Sequence, residues 1–565
     1  MKVLFSSRGF VVVIWLGWGV LSASAQKAVV APVKPKADTG VCAADASRLA
    51  TKSGSPVWNG WGVDLHNSRF QPAAQAGLIG NEVPRLRLKW AFGFEGASMA
   101  FSQPAVVGGR LFVGSESGDV FALNPDSGCT EWTFHAHGSV RTGFVIGPGR
   151  IKQAQSGAVY FGDQHGAVYA LDSATGELLW QAQADPHPSA MITGTPQRWQ
   201  GRLYVPVASY EENFAPDTHY QCCSFRGSVV AYDAQTGKPL WKTFMISDVP
   251  HKTGMNKAGT QLWGPSGAGV WSAPTLDPRH RVLYVATGNN YSDPATNTSD
   301  SVLALSMDTG KILWRQQATP NDAYNSSCAL FMDATQSNCP PDNGSDFDFG
   351  ASPILATARD GRRILIAAQK SGVVYGLDPA NRGKVIWQTR VGKGGPLGGI
   401  EWGSAADDQN VYAALSDCDW KTFERVKNGH KESVVDMDPD KGGGLFALGL
   451  SDGHKVWQTP APAACADREH CSPAQLAAVT AIPGVIFSGS LDGHLRAYSS
   501  QTGKIMWDFD TVQDFSTVNG IPSHGGSLNG PGAVVVGGIL YVNSGYIRFG
   551  EAPGNVLLAF SVDGK

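Results

Sequence analysis

The chain has 565 residues, of which 42% are hydrophobic and only 16% are charged. This composition excludes a disordered protein and provides enough apolar material for a large core. The formal net charge is −3 and no basic cluster stands out, which argues against nucleic acid as a partner. The 68 glycines and 17 tryptophans favour tight turns, short strands and large aromatic packing units.

The N-terminus predicts export. Basic residues precede an apolar run at residues 10–20, and Ala23-Ser24-Ala25 has the small-x-small form of a cleavage site. We interpret residues 1–25 as a signal peptide, because the apolar run is short for a membrane span; a retained anchor is the alternative. Residues 26–56 then form a loose leader. A periplasmic protein without a stable membrane span is the expected result.

An exported protein can form disulfides, and nine cysteines follow the predicted cleavage site. Three pairs are close in sequence: Cys222 with Cys223, Cys328 with Cys339, and Cys465 with Cys471. Among the other three, a bridge between Cys42 and Cys129 is our prediction, and other pairings with Cys418 stay open. The count is odd, so at least one cysteine is unpaired within the chain. The sequence holds no Cys-x-x-Cys-His motif for covalent haem.

A repeated unit predicts the fold. Two apolar strands with period-two alternation precede a Gly-x-x-x-Trp step, which supplies a tight turn and a large packing residue. The steps begin at Gly128, Gly176, Gly237, Gly310, Gly383, Gly453 and Gly503. We assign the tryptophan of each step to packing between neighbouring units and expect it to be buried at every repeat.

An eighth unit, residues 539–565, ends before its tryptophan, which Trp90 within residues 85–92 can supply. An N-terminal strand that completes the last unit closes a ring without exposed edges. The sequence therefore predicts an all-β protein, an eight-bladed β-propeller over residues 57–565.

Unequal spacing between the tryptophans indicates where a site lies. The steps near the middle of the chain are longer because of insertions at residues 211–221, 247–269, 318–350 and 417–443. Insertions in a propeller form loops over one mouth of the ring and often build its functional site. We therefore expect the chemistry of this protein in those loops.

Several stretches resemble one family. They include Trp58-Asn59-Gly60-Trp61-Gly62, residues 139–143, and the run Asp346-Phe347-Asp348-Phe349-Gly350-Ala351-Ser352-Pro353. With the docking repeat, they resemble the quinoprotein alcohol dehydrogenases, in particular the polyvinyl alcohol dehydrogenases, from residue 58 to the C-terminus. The resemblance implies pyrroloquinoline quinone (PQQ) in the central channel together with Ca²⁺.

The resemblance also implies residues that contact the quinone. Trp271 is expected as the floor under the planar cofactor, with a further core tryptophan as the alternative. The Cys222-Cys223 pair is expected as the cap, although it follows Glu212 instead of lying one blade earlier, and a bridge elsewhere is the alternative. The residues expected to hold the quinone carboxylates are Arg141, Thr193 and Ser209. Thr193 could equally be an ordinary strand hydroxyl. Glu401-Trp402 stands where relatives carry Asn-Trp.

The same resemblance assigns the metal and the chemistry. Glu212, or Glu211 after a slip of one residue, and Asn289 are the expected calcium ligands, since Ca²⁺ takes oxygen donors. Asp322 is expected beside them, as a ligand and as the general base, and Lys370 as the cation on the quinone oxygens. The alternatives are ordinary turns at Asn289 and Asp322.

The implied function is that of a periplasmic dehydrogenase. It would oxidise secondary alcohols, either polyvinyl alcohol or a similar polyol, to ketones and pass electrons to a separate cytochrome c, because the sequence has no haem motif. One alternative is a quinoprotein for small alcohols or sugars. The other is a cofactor-free propeller scaffold of the outer-membrane assembly type.

Overall fold

The computed structural model describes residues 40–43, 55–148, 157–328, 338–341, 343–427 and 430–565. The predicted signal peptide and most of the predicted leader therefore lie outside the described residues. Every described residue belongs to one compact unit.

Eight antiparallel sheets, each with four main strands, form the blades of a propeller. In blade 1 the strands are Ala105–Val107, Arg110–Gly114, Asp119–Leu123 and Thr130–His135. In blade 2 they are Val145–Gly147, Ala158–Gly162, Ala167–Asp172 and Leu178–Gln183. In blade 3 they are Gln197–Trp199, Arg202–Ser209, Ser228–Asp233 and Pro239–Phe244, with Ala190–Met191 added. In blade 4 they are Thr275–Asp277, Val282–Ala286, Ser301–Ser306 and Ile312–Gln317.

The second half of the ring repeats the pattern. In blade 5 the strands are Ile354–Thr357, Arg363–Ala368, Val373–Asp378 and Lys384–Arg390. In blade 6 they are Ala405–Ala406, Asn410–Leu415, Gly444–Gly449 and Lys455–Thr459. In blade 7 they are Thr480–Ile482, Val485–Gly489, His494–Ser499 and Ile505–Asp510. In blade 8 they are Val534–Val536, Ile539–Ser544, Val556–Val562 and the N-terminal strand Leu86–Gly93.

The N-terminal strand closes the ring. Leu86 lies opposite Val562 and Gly93 lies opposite Val556 in an antiparallel pair. This arrangement confirms the predicted all-β, eight-bladed propeller, in which the N-terminal strand is the outermost strand of the last blade.

The repeated glycines and tryptophans join each blade to the next. Gly176 has a φ of 75°, and a Cβ at this position would lie 2.7 Å from the Trp132 ring of the preceding blade. The Trp132 Nε1 donates a hydrogen bond to the Ser173 carbonyl at 3.2 Å. The same Gly–Trp contact recurs at Gly128, Gly237, Gly310, Gly383, Gly453 and Gly503. The packing role is confirmed.

The expectation that every docking tryptophan is buried was wrong at three repeats. Trp180, Trp241 and Trp457 are only half-buried. They lie on the fourth strand of their blades, as the buried docking tryptophans do, so position within the blade does not by itself set the exposure.

The four long insertions emerge on one face of the ring. In an antiparallel blade, the turn between the second and third strands and the link to the next blade lie at the same end. Two insertions pair with themselves as hairpins instead of remaining loops, His251–Met255 with Gln261–Gly264 and Trp420–Lys427 with His430–Met437. Two smaller pairs are Ser266–Gly267 with Asn290–Ser292 and Asp514–Phe515 with Ser523–His524. The helical turns are Ala73–Ala76, Val83–Arg85, Glu211–Phe214, Ser326–Cys328 and Pro379–Asn381.

A segment that we name the floor segment, residues 58–71, crosses the central channel. Its hydrogen bonds reach residues in or next to the first strand of every blade: Val106, Phe144, Gln197, Leu276, Leu355, Ala406, Ala481 and Ala533. The channel is therefore filled on one side of the ring, and the insertions surround the mouth on the other side.

All four predicted disulfides are present. Cys42 bridges Cys129, and the other pairs are Cys222 with Cys223, Cys328 with Cys339, and Cys465 with Cys471. The first bridge fastens the described piece of the leader to blade 1, where the Cys42 N–H also donates to the Thr130 carbonyl at 3.0 Å. Cys418 is free and buried.

Candidate active site

Two kinds of segment line the channel between its mouth and the floor segment. The links between blades place Arg141, Thr193 and Trp271 four residues before a first strand. The loops that follow second strands carry Glu212, Asn289 and Lys370. Residues far apart in sequence thus converge on one place because each blade contributes the same two connections.

Trp271 contacts several other residues of this site. Its indole Nε1 donates to Asp348 Oδ2 at 3.0 Å, and its carbonyl accepts a hydrogen bond from the Thr193 hydroxyl at 3.0 Å. Lys370 Nζ lies 5.6 Å from the ring centroid, and Trp402 meets the ring edge-on at 6.3 Å. The ring is half-buried and has polar groups around it, which is unlike a tryptophan packed in an apolar core.

Asp348 is a residue that the sequence-based site did not include. Besides the Trp271 indole, its carboxylate accepts the backbone N–H of Asn289 at 2.8 Å and lies 3.5 Å from Lys370 Nζ. It therefore contacts three of the predicted site residues. The run Asp346-Phe347-Asp348-Phe349 carried the signal, since two acids alternate with two aromatics in it.

Lys370 is surrounded by acids. Its Nζ is 3.5 Å from both Asp346 and Asp348, and the side chain is 9% exposed. Burial disfavours the ammonium, but the carboxylates of Asp346, Asp348, Glu401 and Glu212 raise the pKa of Lys370 well above its usual value. The lysine is therefore a fixed positive charge.

One ammonium cannot balance four carboxylates. Burial, together with the Asp348 carboxylate, raises the pKa of Glu212 to about 8. Burial also raises the pKa of Glu401 to about 7, against the opposing effect of Lys370, and it raises the pKa of Asp346 well above its usual range. A bound cation would stabilise the ionised forms of these acids, so the cluster favours an additional cation.

The neighbouring Glu211 and Glu212 face different surroundings. The Glu211 carboxylate is fully buried and accepts the backbone N–H groups of Ser224 and Phe225 at 2.8 Å each. It also accepts the Tyr220 hydroxyl at 3.1 Å. These bonds fix the loop that follows Cys222-Cys223. Glu212 instead interacts electrostatically with Asp348 and Lys370. The geometry favours Glu212 over Glu211 as a ligand for a bound ion.

Asn289 and Asp322 are both buried, so neither lies in a solvated turn. The Asn289 amide donates to the carbonyls of Asn290 and Tyr324, at 2.9 and 2.5 Å, which fixes the direction of its Oδ1. Asp322 Oδ2 accepts the Phe347 N–H at 3.2 Å, and its Oδ1 is buried without a partner among the described residues. Burial raises the pKa of Asp322. Asp322 thus supports the backbone beside Asp348.

The Cys222-Cys223 disulfide is buried beneath the insertions. Asn325 Nδ2 lies 4.0 Å from Cys222 Sγ and also donates to the carbonyls of Tyr291 and Asn338, each at 2.9 Å. Asn338 in turn donates to the carbonyls of Ala215, Asp217 and Tyr220. Asparagine side chains therefore join the insertion that carries Cys328–Cys339 to the loop that holds the vicinal pair.

Some polar groups near the predicted cofactor lack hydrogen-bond partners. The Arg141 guanidinium lies 4.3 Å from the centroid of Trp402, and its Nε is buried without a partner among the described residues. Glu401 Oε2 is buried and unpartnered in the same sense. The Ser209 hydroxyl accepts the N–H of Glu211 at 2.9 Å. Buried polar atoms normally have partners, so the Nε of Arg141 and the Oε2 of Glu401 fit a polar ligand.

The described residues contain no group of three or more His, Cys, Asp or Glu side chains arranged to hold a metal ion. The candidate pair for an ion is Glu212 and Asn289, a carboxylate and an amide, so further oxygens must come from a ligand. The donor types and the cluster of buried acids fit Ca²⁺ on that condition.

Known proteins share this architecture. Residues 58–330 match the family model of the glucose/ethanol/alcohol dehydrogenase β-propeller domain, and residues 224–483 and 370–548 match that of the outer membrane protein assembly factor BamB. A polyvinylalcohol dehydrogenase of Pseudomonas sp. is 43% identical over 90% of this chain and 77% of the relative. A second, from Sphingopyxis sp. (strain 113P3), is 41% identical over the same shares. The crystal structure of a quinohemoprotein alcohol dehydrogenase from Comamonas testosteroni superposes with a TM-score of 0.62 at 21% identity, covering 93% of this chain and 83% of that one.

Proposed function

Because the chain belongs to the PQQ-dependent quinoprotein alcohol dehydrogenases, we propose that it oxidises secondary hydroxyls of polyvinyl alcohol or a similar polyol to ketones. The observation that carries the substrate is the identity of 43% to a relative named polyvinylalcohol dehydrogenase. A quinoprotein for small alcohols or sugars is the second candidate, since the same site chemistry serves both. The scaffold alternative accounts for neither the buried acids nor Lys370.

The proposed cofactor site follows from the donors and the flat surface of the channel. Trp271 offers its ring face to the planar quinone. Arg141, with Thr193 and Ser209 nearby, is proposed to hold the quinone carboxylates, and the unpartnered Nε of Arg141 supports this role. We keep Cys222-Cys223 as the proposed cap, because the pair is buried and Asn325 of a neighbouring insertion contacts Cys222.

Glu212 and the Oδ1 of Asn289 are the proposed calcium ligands. The cluster of buried acids supports a cation there, and carboxylate and amide oxygens are the donors that Ca²⁺ takes. Bound calcium supplies Lewis-acid polarisation of a coordinated carbonyl. The chain contributes by holding the Asn289 amide in one orientation through two backbone carbonyls.

We propose Asp348 as the general base, with Asp322 as its competitor. Asp348 is supported by its direct contacts with Trp271, Lys370 and the backbone of Asn289. Bound PQQ supplies the acceptor for the hydride of the carbinol carbon. Asp348 takes the hydroxyl proton of the alcohol, and Lys370 adds a fixed positive charge beside that carboxylate.

The proposal also includes an electron acceptor and a cellular location. Electrons pass to a separate cytochrome c, and the protein works in the periplasm after cleavage of residues 1–25. Among the described residues, no helix is long and apolar enough to cross a membrane.

Reconstitution tests the proposal. Purified protein receives PQQ and Ca²⁺, and dye reduction is followed with polyvinyl alcohol, simple secondary alcohols and sugars. We expect activity that needs both additives and is highest with the polymer. In Asp348→Asn we expect a fall in kcat of about 10²–10⁴-fold, the usual contribution of a general base.

Asp322→Asn is the matched variant. Because Asp322 supports the backbone and does not contact Trp271 or Lys370, we expect it to retain measurable turnover. Loss of activity in Asp322→Asn with full activity in Asp348→Asn would reverse the assignment of the base. Preference for small alcohols or sugars would replace the polymer as the substrate.

A further inference from the structure

Glu401 is a buried acid for which the site has no partner. It lies in the link between blades 5 and 6, where the Ile400 N–H donates to the Gln369 carbonyl at 3.2 Å and so holds the link against Lys370. The Glu401 side chain is buried, and its Oε2 has no hydrogen-bond partner among the described residues. A carboxylate oxygen in this position loses hydration without compensation.

Glu551 provides the contrast within the same mouth. It is also buried, but its Oε1 accepts Asn529 Nδ2 at 2.8 Å and its Oε2 accepts the Phe549 N–H at 2.7 Å. Both carboxyl oxygens of Glu551 are thus satisfied by the protein. Burial alone therefore does not explain the unpartnered oxygen of Glu401, which still lacks a hydrogen bond.

Burial favours the neutral form of Glu401. Lys370 and Arg141 stabilise a carboxylate at this position, whereas Asp348 and Glu551 oppose it, and Asp346 is a further acid that interacts with Glu401. Burial outweighs the two cations, so the pKa of Glu401 is raised to about 7. A carboxyl group of this kind gains a proton readily when more negative charge arrives.

The expected ligand brings such charge. PQQ carries carboxylates and quinone carbonyls, which accept hydrogen bonds, and an ionised glutamate would repel them. We propose that Glu401 is a further cofactor-binding residue that acts as a neutral carboxylic acid and donates a hydrogen bond from Oε2 to an acceptor oxygen of PQQ. The proton comes from solvent and stays on Glu401 while the cofactor is bound. This inference rests on the proposed cofactor site.

Proton uptake on binding makes the affinity depend on pH. Below the pKa of free Glu401 the group is already protonated, and pH has no effect through it. Above that pKa, binding must take up one proton, so the affinity for PQQ falls by up to about tenfold per pH unit until the pKa of the bound form is passed.

The experiment measures binding rather than turnover. Full-length apo-protein with saturating Ca²⁺ is titrated with PQQ, and quenching of tryptophan fluorescence gives Kd from about pH 6 to about pH 9. Wild type is compared with Glu401→Gln, which donates through its amide at every pH, and with Glu551→Gln as the matched buried acid. Thermal melting checks that each variant is folded.

We expect Glu401→Gln to bind PQQ within about threefold of wild type at the low end of the range and to lose a one-proton step from its pH dependence. Glu551→Gln should keep the wild-type slope. An unchanged slope in Glu401→Gln, or a step of opposite sign, would overturn the proposal, as would loss of PQQ binding at every pH in folded Glu401→Gln. Wild type that does not bind PQQ at any pH would instead refute the cofactor site itself.

Discussion

Two arginines in the same channel, Arg69 on the filled side and Arg141 near the mouth, differ in how completely their donors are used. Arg69 is fully buried, and its guanidinium lies 4.8 Å from the centroid of the Trp61 ring. Its nitrogens donate to Trp61, Gln103, Val479, Thr480 and Pro531. Arg141 has a similar ring contact with Trp402, at 4.3 Å, but its Nε is buried without a partner among the described residues.

The difference separates a structural cation from a ligand-binding one. A buried guanidinium is costly, and the fold repays that cost at Arg69 with hydrogen bonds to several blades. At Arg141 the same kind of group is left with an unused donor, which only an added acceptor can satisfy. Substitutions should therefore affect stability at Arg69 and ligand affinity at Arg141.

The largest expected effect is at Arg69. Arg69→Met removes hydrogen bonds that join the floor segment to blades 1, 7 and 8 and leaves several buried carbonyls unsatisfied. We expect a loss of about 3–5 kcal/mol in the free energy of unfolding. Urea unfolding followed by fluorescence measures it. A loss below about 1 kcal/mol would show that the floor segment does not depend on this cation.

The fold could be predicted from the sequence because the repeat is local. Each Gly-x-x-x-Trp step lies within one turn and its following strand, and the contact that it makes with the next blade is the same each time. The closing strand was found because the last unit lacked its tryptophan. Partial exposure of Trp180, Trp241 and Trp457 was missed, since the pattern does not show which blades are covered on the outside.

The site could be predicted only where it follows the repeat. Trp271, Asn289 and Lys370 were predicted from the family resemblance; each lies close to a strand end, and all three contact the Asp348 carboxylate in the structure. Asp348 was missed because it follows a long insertion, within which sequence spacing does not fix position in space. The role of Asp322 as the general base stays a prediction, and its carboxylate accepts the backbone N–H of Phe347.

A second prediction concerns the packing between neighbouring blades, where Gly176 contacts the Trp132 indole. In Gly176→Ala a Cβ would lie 2.7 Å from the Trp132 ring and φ is 75°, so we expect a loss of about 2–3 kcal/mol. Gly109→Ala is the matched control, because its φ is 76° with nothing within 4 Å. Backbone strain alone should cost about 1 kcal/mol there. Equal losses in thermal and urea unfolding would mean that the tryptophan contact contributes nothing.

The smallest change in stability is expected at Arg141, and it completes the comparison with Arg69. Arg141→Met removes a cation whose Nε is unsatisfied, so unfolding should change by less than about 1 kcal/mol. The affinity for PQQ should fall about 10–100-fold, since a charge-assisted bond to a carboxylate is lost. Arg141→Lys keeps the charge without the fork and should recover only part of the affinity. Arg141→Met could instead unfold as readily as Arg69→Met while binding PQQ normally. The two arginines would then have the same structural role, and the distinction between a structural and a ligand-binding cation would fail.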